Sequence, residues 1–458
     1  MGPLTVHPGN PRYFADGDGR AILLTGSHTW TTVQDAGRVW PPPRFDFDAW
    51  VDWTTGHGHN FVRLWAWEQA RWAPWIAGDF FFDPLPFART GPGVALDGRP
   101  KFDVTHYDER YFGRLTERVG QAERRGVYVS VMLFQGWSVE DKPFTLGEGN
   151  NPWPGHPFHA ANNVNGIDGD PRQTGHGVDT HTLRDPAITA LQRAYIRRVI
   201  AAVNCFDNVL YEITNEDMHS DENTAWQYAM IDAIHEEEAC GGRKRHPVLM
   251  TVPWPAPPSN ELLFHSPAEA VSPSSLARYG TGRDDYCDDP PPADGRKVVL
   301  ADTDHFWGIG GDAEWVWRSV LRGLNPIFMD PSGGDFVVHR GFDPEARQAM
   351  GVARRLSETL DLATLTPCPE SASSRFALGG DGCIVAYAGR DEPVTVNLGG
   401  EADHWEVEWW HPVTGERVTG EAVVGGGEIV LVSPFPSGGV AVAARRGECV
   451  LVGEAIVR

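Results

Sequence analysis

The feature that most constrains the fold is the apolar run at residues 209–213, which stops on the pair Asn215 and Glu216. The run is rich in branched and aromatic side chains and too short for a helix, so it predicts a strand covered on both faces. A predicted helix precedes it, with Asp185 as N-cap and Pro186 in the first turn. Helix, short turn, buried strand and terminal carboxylate form the repeating unit of a parallel α/β barrel, whose active site lies at the carboxyl ends of the strands.

The same unit recurs along the first 365 residues. Besides the run at 209–213, the predicted strands are Ile22–Thr25, Phe61–Trp65, Val127–Phe134, Pro247–Val252, Glu269–Ser272, Val298–Ala301 and Pro326–Asp330. The turn from Asp16 to Gly19 predicts a hairpin that closes the bottom of the barrel. We therefore predict an α/β fold, a (β/α)8 TIM barrel with enlarged loops over residues 1–365.

The pattern changes near residue 366. Five short alternating runs, separated by turns, lie between Cys383 and Ala443. Such spacing is typical of an all-β antiparallel sandwich. The sequence thus predicts a second, smaller domain over residues 366–458.

The charge of the chain narrows its choice of partners. There are 62 acidic against 39 basic residues, a formal net charge of −23. Such a surface repels nucleic acids and anionic membranes but leaves neutral substrates unaffected. The N-terminus has no basic segment followed by an apolar run, so we expect a cytoplasmic protein, or a secreted one if a leader has been trimmed. The sequence does not indicate an oligomeric state.

Two motifs resemble a known family. The strand ending on Asn215 and Glu216 resembles the fourth strand of clan A glycoside hydrolases, the cellulase-like (β/α)8 barrels. The sequence W-W-H-P-V-T-G-E at residues 409–416 resembles the C-terminal β-sandwich, of the collagen-binding type, that follows apiosidase-like barrels. The resemblance implies a glycosidase in which Glu216 is the general acid/base and Asn215 holds the 2-hydroxyl of the sugar.

The resemblance also implies a second carboxylate at the end of strand seven and an arginine on strand two that supports it. Asp302 and Arg63 occupy these positions, although the clan has Glu where this chain has Asp. An Asp is one methylene shorter and widens the gap to the acid/base by about 1–1.5 Å. The resemblance implies a retaining reaction with Asp302 as nucleophile. Asp304, two residues further on, is the alternative second carboxylate.

Further polar and aromatic residues near the predicted strand ends, or in the long loop at 140–185, are expected to bind the sugar. They are His28, Trp30, Trp67, Gln135, Trp137, Asn162, Trp254, Asp304 and His305. The long loop is expected to narrow the cleft, which favours a short oligosaccharide or a terminal sugar as substrate. No cofactor is predicted.

Two other functions stay open. A barrel that has lost its nucleophile could bind carbohydrate without cleaving it. The sequences A-D-T-D-H and E-D-M-H also supply carboxylates and imidazoles for a metal-dependent hydrolase. Neither stretch has the fixed spacing of H-E-x-x-H, so no metal ligands are predicted.

Overall fold

The structure is a computed structural model that describes residues 2–445, except 75, 141, 143–149, 276–284, 308–309, 331–343, 381 and 400–401. Eight parallel strands close into a barrel in which the last strand pairs with the first. They are β1 (Gly26–His28), β2 (Phe61–Leu64), β3 (Tyr128–Gln135), β4 (Val209–Asn215), β5 (Val248–Thr251), β6 (Ala270–Ser272), β7 (Val298–Asp302) and β8 (Asn325–Met329). The predicted barrel fold is confirmed.

The described α-helices alternate with these strands. They are α1 (Phe47–Gly56), α2 (Glu109–Glu123), α3 (Gly136–Val139), α4 (Pro186–Val203), α5 (Asp221–Glu238), α6 (Glu261–Phe264), α7 (Ala313–Val320) and α8 (Pro344–Ser357). Asp46, Asp108, Asp185 and Ser220 cap helices α1, α2, α4 and α5 by accepting a bond from a first-turn amide. Each cap satisfies an otherwise unpaired amide, and the predicted N-cap Asp185 is confirmed. None of the described helices is long and apolar enough to cross a membrane.

The prediction that Ile22–Thr25 is the first barrel strand is wrong. Ala21–Ile22 instead pairs with Phe14–Ala15 in a three-stranded sheet, and the barrel strand begins only at Gly26. A Cβ at Gly26 would lie 1.8 Å from the carbonyl oxygen of Phe61 on β2. The two strands approach so closely there that only glycine fits. The small sheet packs Leu4 and Phe14 against the amino ends of the barrel strands and closes the bottom, as predicted.

A β-rich insertion lies between β2 and α2, where the sequence analysis assigned no element. In one small antiparallel sheet, Ile76–Asp83 pairs with Arg71–Ala73 and with Asp35–Gly37, a short strand from outside the insertion, between β1 and α1. In a second antiparallel sheet, Phe87–Val94 pairs with Pro100–Tyr107. The second of these hairpins bonds to the long loop after β3, since Phe102 donates its amide to Asn162 and accepts from Val164.

The C-terminal residues form antiparallel sheets, as predicted. One sheet contains Thr366–Pro367, Ala377–Gly380, Cys383–Ala388, Gly439–Arg445, His404–Trp410, Arg417–Thr419 and Val423–Val424, and a two-stranded sheet contains Val394–Asn397 and Glu428–Leu431. One face of the larger sheet, including Leu378, Trp410 and Val442, joins the same hydrophobic core as Trp317 of α7. The sandwich therefore packs on the outside of the barrel.

Candidate active site

A buried arginine organises the carboxyl end of the barrel. Arg63 projects from β2 and is 1% exposed. Its Nη2 and Nε bind both carboxylate oxygens of Glu212, at 2.6 and 3.1 Å, and its Nη2 also donates to Oδ1 of Asn215 at 2.6 Å. Its Nη1 donates to Oδ2 of Asp302 at 2.9 Å. One cation thus joins the ends of β2, β4 and β7 and offsets two buried negative charges, as a buried charge requires.

Asp302 is held as an anion by this arrangement. Its Oδ1 lies 3.0 Å from Nε2 of His28, whose ring stacks on Trp65. Oδ1 also accepts the backbone amide of Asp304 at 3.0 Å. Burial would raise the pKa of Asp302, but the charges of His28 and Arg63 hold it well below its ordinary value. Asp302 is therefore ionised at neutral pH, with hydrogen bonds to both oxygens.

Glu216 lies just beyond β4 in a strained backbone conformation. Its φ is +43°, a left-handed value that a non-glycine residue adopts only when its surroundings enforce it. Its Oε2 accepts a hydrogen bond of 2.8 Å from the indole nitrogen of Trp137. Burial raises the pKa of Glu216 to about 7, against the lowering effects of Trp137, Lys142 and Arg63. The nearby carboxylate of Asp302 also raises the pKa of Glu216, but burial is the largest cause.

A second carboxyl group and an imidazole face Glu216. One carboxylate oxygen of Glu216, one of Asp304 and a ring nitrogen of His305 all lie within 4.8 Å of one another. The Nδ1 of His305 lies 2.8 Å from Oγ of Ser272, and its Nε2 lies 3.8 Å from Oδ2 of Asp304. Burial raises the pKa of Asp304 well above its ordinary value, and the nearby carboxyls of Glu216 and Asp302 raise it further. Burial lowers the pKa of His305 to about 3, so its imidazole is neutral.

A buried chain of charges supports the segment that carries Glu216. His181, from the long loop, contacts Asp217 at 2.7 Å and Glu68 at 3.1 Å, and its ring stacks on Trp226. Glu68 also accepts the backbone amide of Gln135 at 2.8 Å. Because Asp217 follows Glu216 directly, this chain ties the backbone of Glu216 to the ends of β2 and β3.

Lys142 adds a positive charge close to Glu216. Its side chain is fully buried, its Nζ donates to the carbonyl oxygen of Trp254 at 2.7 Å, and it lies 5.5 Å from the ring centre of Trp137. Trp137 in turn donates to Glu216. Lys142 is therefore one of the groups that hold the pKa of Glu216 down.

The predicted aromatic residues differ in their exposure. Trp30 and Trp254 are half-buried and pack on the edge of an aromatic cluster at the mouth of the barrel. Trp67 is 2% exposed and donates its indole N–H to the carbonyl of Trp30 at 2.5 Å. Trp67 thus contributes to packing below the rim, while Trp30 and Trp254 border the site.

Two residues that were predicted to bind the sugar instead make hydrogen bonds within the protein. Gln135 is buried and its Oε1 accepts the backbone amide of Trp137, so it caps α3. Asn162 donates to the carbonyls of Pro154 and His156, both at 2.8 Å, and accepts the amide of Leu96 at 2.9 Å. The amide of Asn162 therefore folds the long loop onto the inserted hairpin, which leaves it no free donor for a sugar.

Several residues of the site were not predicted from the sequence. They are Glu68, Lys142, His156, His181, Glu212 and Asp217. Only Glu212 had a clear signal, since a carboxylate inside an apolar strand must have a partner. The others lie in loops, where a charged residue is ordinarily solvated, so the sequence alone gave no reason to select them.

Residues 50–246 match the model of a family described as a domain of unknown function, DUF6298. No curated protein matches the chain in sequence. Among solved structures, the chain is similar to a protein described as a glycoside hydrolase, with 12% identity and a TM-score of 0.59 over 97% of both chains. It is also similar to a family 5 glycoside hydrolase from Bacteroides vulgatus ATCC 8482, with 12% identity and a TM-score of 0.59 over 97% of this chain and 94% of the other.

These similarities concern the fold. They span nearly the whole of this chain, so they include both the barrel and the C-terminal sheets. The family match covers less than half of the chain and names no activity. The chain therefore shares with these solved structures the fold of a parallel (β/α)8 barrel followed by C-terminal antiparallel sheets.

Proposed function

We propose that the protein is a glycoside hydrolase that removes a terminal sugar or cleaves a short oligosaccharide, with Glu216 as its general acid/base. The observation that carries this proposal is a pair of carboxyl groups at the ends of β4 and β7: Glu216, whose pKa burial raises, and Asp302, which His28 and Arg63 keep ionised. Glycosidases use two such carboxyls, one to protonate the leaving oxygen and one to stabilise or attack the anomeric carbon.

The environment of Glu216 suits a proton donor. A general acid works best when its pKa is near the working pH, and burial raises the pKa of Glu216 to about 7. Arg63 donates to Oδ1 of Asn215, while Nδ2 of Asn215 is buried with no hydrogen-bond partner among the described residues, so this nitrogen is available to donate to a sugar hydroxyl. The loop at 150–185 places His181 against Asp217, the residue after Glu216, and its position beside the site favours a short substrate.

Replacing Glu216 by Gln tests the proposal. We expect kcat on 4-nitrophenyl glycosides to fall by roughly 10²–10⁴-fold, because the proton donor is lost. The wild-type rate should fall as the pH rises above about 7, since the acid must be protonated to act. Glu236→Gln, on the exposed face of α5, is the matched control and should leave the rate unchanged. A Glu216→Gln variant with normal turnover would exclude the assignment.

The same assay distinguishes a glycosidase from a protein that binds carbohydrate without cleaving it. Binding measured by calorimetry, with no turnover of any glycoside that is bound, would favour the binding protein.

A metal-dependent hydrolase is the second candidate, and the cluster of Glu216, Asp304 and His305 favours it. Two carboxylates and a neutral imidazole within 4.8 Å are donors that fit a divalent cation such as Zn²⁺ or Mn²⁺. Such an ion would supply a bound hydroxide as nucleophile. Dialysis against EDTA separates the two functions: a glycosidase that uses only carboxyl groups keeps its activity, whereas a metal enzyme loses activity and regains it when Zn²⁺ or Mn²⁺ is added.

A further inference from the structure

We propose that Asp304 and His305 form a binding site for the leaving group, where they bond a hydroxyl beside the oxygen that Glu216 protonates. This inference rests on the proposed glycosidase function and names the class of leaving group that the site accepts. That class is a sugar or another polyol, because its carbon atoms next to the leaving oxygen carry hydroxyl groups. An aryl or simple alkyl leaving group has none.

Two buried polar atoms beside Glu216 lack a hydrogen-bond partner among the described residues. They are Oδ2 of Asp304 and Nε2 of His305, on side chains that are 8% and 0% exposed. Nη1 of Arg63 lies 3.7 Å from Oδ2 of Asp304, which is longer than a hydrogen bond. Buried polar atoms in native proteins are almost always paired, so two adjacent exceptions indicate a place for a ligand.

The spacing of these two atoms fits one hydroxyl group. They lie 3.8 Å apart, so an oxygen between them can be about 2.8 Å from each, which is hydrogen-bond length. Nδ1 of His305 contacts Oγ of Ser272 at 2.8 Å, and Nε2 is therefore the ring nitrogen left for a ligand. Burial keeps both side chains uncharged, since it raises the pKa of Asp304 well above its ordinary value and lowers the pKa of His305 to about 3. An uncharged acid and imidazole suit a neutral hydroxyl, which donates one hydrogen bond and accepts another.

The position of the pair relative to Glu216 assigns it to the leaving group. A carboxylate oxygen of Glu216, an oxygen of Asp304 and a ring nitrogen of His305 all lie within 4.8 Å of one another, so a hydroxyl bound by the pair lies beside the proton donor. The general acid of a glycosidase contacts the oxygen of the leaving group. A hydroxyl bound here is therefore close to that oxygen.

The reacting sugar has its own contacts on another side of the site. Asp302 faces β1 and β2, where His28 and Arg63 bind its two oxygens. His305 faces β6 instead, through its contact with Ser272 at the end of that strand. A sugar whose anomeric carbon lies over the ionised Asp302 thus directs its leaving group toward β6.

Two leaving groups that differ by one hydroxyl test the inference without a variant. A panel of 4-nitrophenyl glycosides first identifies the sugar that the wild-type protein hydrolyses. The glycosides of that sugar with cyclohexanol and with trans-1,2-cyclohexanediol are then compared, because the diol adds one hydroxyl beside the leaving oxygen. We expect kcat/KM to be at least about tenfold higher for the diol glycoside, since a buried site that bonds a hydroxyl discriminates against an analogue without it. Equal values would overturn the inference.

Variants of the pair provide a second readout, the ratio of kcat/KM for the diol glycoside to that for the cyclohexyl glycoside. In Asp304→Ala and in His305→Ala this ratio should fall at least about fivefold, and any effect on folding or on proton transfer cancels because it acts on both glycosides. Asp304→Asn, whose amide still bonds a hydroxyl, should keep part of the preference. Asp18→Ala, in the exposed hairpin at the bottom of the barrel, is the control and should keep all of it.

The outcomes separate this inference from the proposed function. An Asp304→Ala or His305→Ala variant that loses the same factor on both glycosides would place the pair at the reacting sugar and overturn the inference, while the glycosidase function stands. A wild-type protein that hydrolyses no glycoside of the panel would overturn the proposed function itself.

Discussion

At the scale of single residues, the site is built from two buried cations that each face two carboxylates. Arg63 lies between Glu212 and Asp302, and His181 lies between Glu68 and Asp217. A buried charge without a partner costs several kcal/mol, so each cation and its two carboxylates stabilise one another. These ion pairs keep the ends of four barrel strands in a fixed arrangement around Glu216.

Replacing His181 by Gln should destabilise the protein by about 3–5 kcal/mol at pH 7, because two buried carboxylates lose their cation. Burial alone would lower the pKa of His181, but Asp217 and Glu68 raise it from 6.5 to about 10. A raised pKa means that the stabilisation is complete below pH 6.5 and is lost as the pH rises toward 10. Urea unfolding of both proteins at several pH values measures this.

The difference between wild type and His181→Gln should therefore shrink between pH 7 and pH 10. His265→Gln, at an exposed surface position, is the control and should change stability by less than about 0.5 kcal/mol. A difference that stays constant over this pH range would show that His181 is not charged in the folded protein.

Replacing Lys142 by Met should move the alkaline limb of the pH–rate profile to higher pH. Lys142 lowers the pKa of Glu216, so its removal lets that pKa rise further. The measurement is kcat/KM against pH with a 4-nitrophenyl glycoside. Lys297→Met, at the opposite end of the barrel, removes a half-buried lysine that bonds backbone carbonyls of Ser266 and Ala268, and it should leave the profile in place. An unmoved limb in Lys142→Met would refute the electrostatic role.

At the scale of elements, α3 is the short helix that brings Trp137 to Glu216. It begins at Gly136, where the backbone passes directly over the segment after β4. A Cβ at Gly136 would lie 2.4 Å from Cα of Asp217 and 2.6 Å from the carbonyl oxygen of Glu216. The contact of α3 with the strained Glu216 backbone therefore depends on the absence of a side chain.

Gly136→Ala should lower both stability and activity, because the added methyl must push α3 away from Glu216. We expect a loss of about 1–3 kcal/mol from overpacking and at least a tenfold loss in kcat/KM. Gly113→Ala is the matched control: it lies in the middle of α2, with nothing within 4 Å of the added Cβ. That variant should gain up to about 1 kcal/mol, since alanine favours a helix. Thermal denaturation and steady-state kinetics compare the two, and equal behaviour would refute the steric explanation.

At the scale of the whole molecule, the C-terminal sandwich packs tightly against the barrel. The indole of Trp317 on α7 donates to the carbonyl of Pro412 at 2.9 Å, and the guanidinium of Arg322 lies 4.9 Å from the ring centre of Phe376. The larger sheet also shares a continuous hydrophobic core with α7 and α8. A shared core of this kind couples the unfolding of the two parts.

Calorimetry should accordingly show a single unfolding transition. Trp317→Phe, which removes the bond to Pro412, should lower the free energy of unfolding by about 1–2 kcal/mol. Trp405 lies in the separate core of the sandwich, and Trp405→Phe should lower the temperature of the same transition. Two transitions, of which Trp405→Phe shifts only one, would contradict the coupling.

Much of the architecture could be predicted from local pattern. The sequence signals of buried strands, helix caps and turns extend over only a few neighbouring positions. For this reason the barrel and the sandwich could be predicted from the sequence. The first barrel strand was misplaced because the close approach of Gly26 to Phe61 is a contact between strands. The insertion between β2 and α2 was not predicted, because its short antiparallel strands are fixed by pairing with one another and with the long loop and have no alternating core pattern.

Local patterns in the sequence predict the fold class and the two-part organisation, and the family resemblance adds the pair of Glu216 with an acid at the end of strand seven. Only the tertiary structure decided which acid faces Glu216. Asp302 and Asp304 differ by two positions in sequence, but one is bound by Arg63 and His28 while the other turns toward Glu216. The reason is physical: strand and helix patterns follow from local side-chain periodicity, whereas the partners of a buried charge depend on distances that exist only after the barrel has closed.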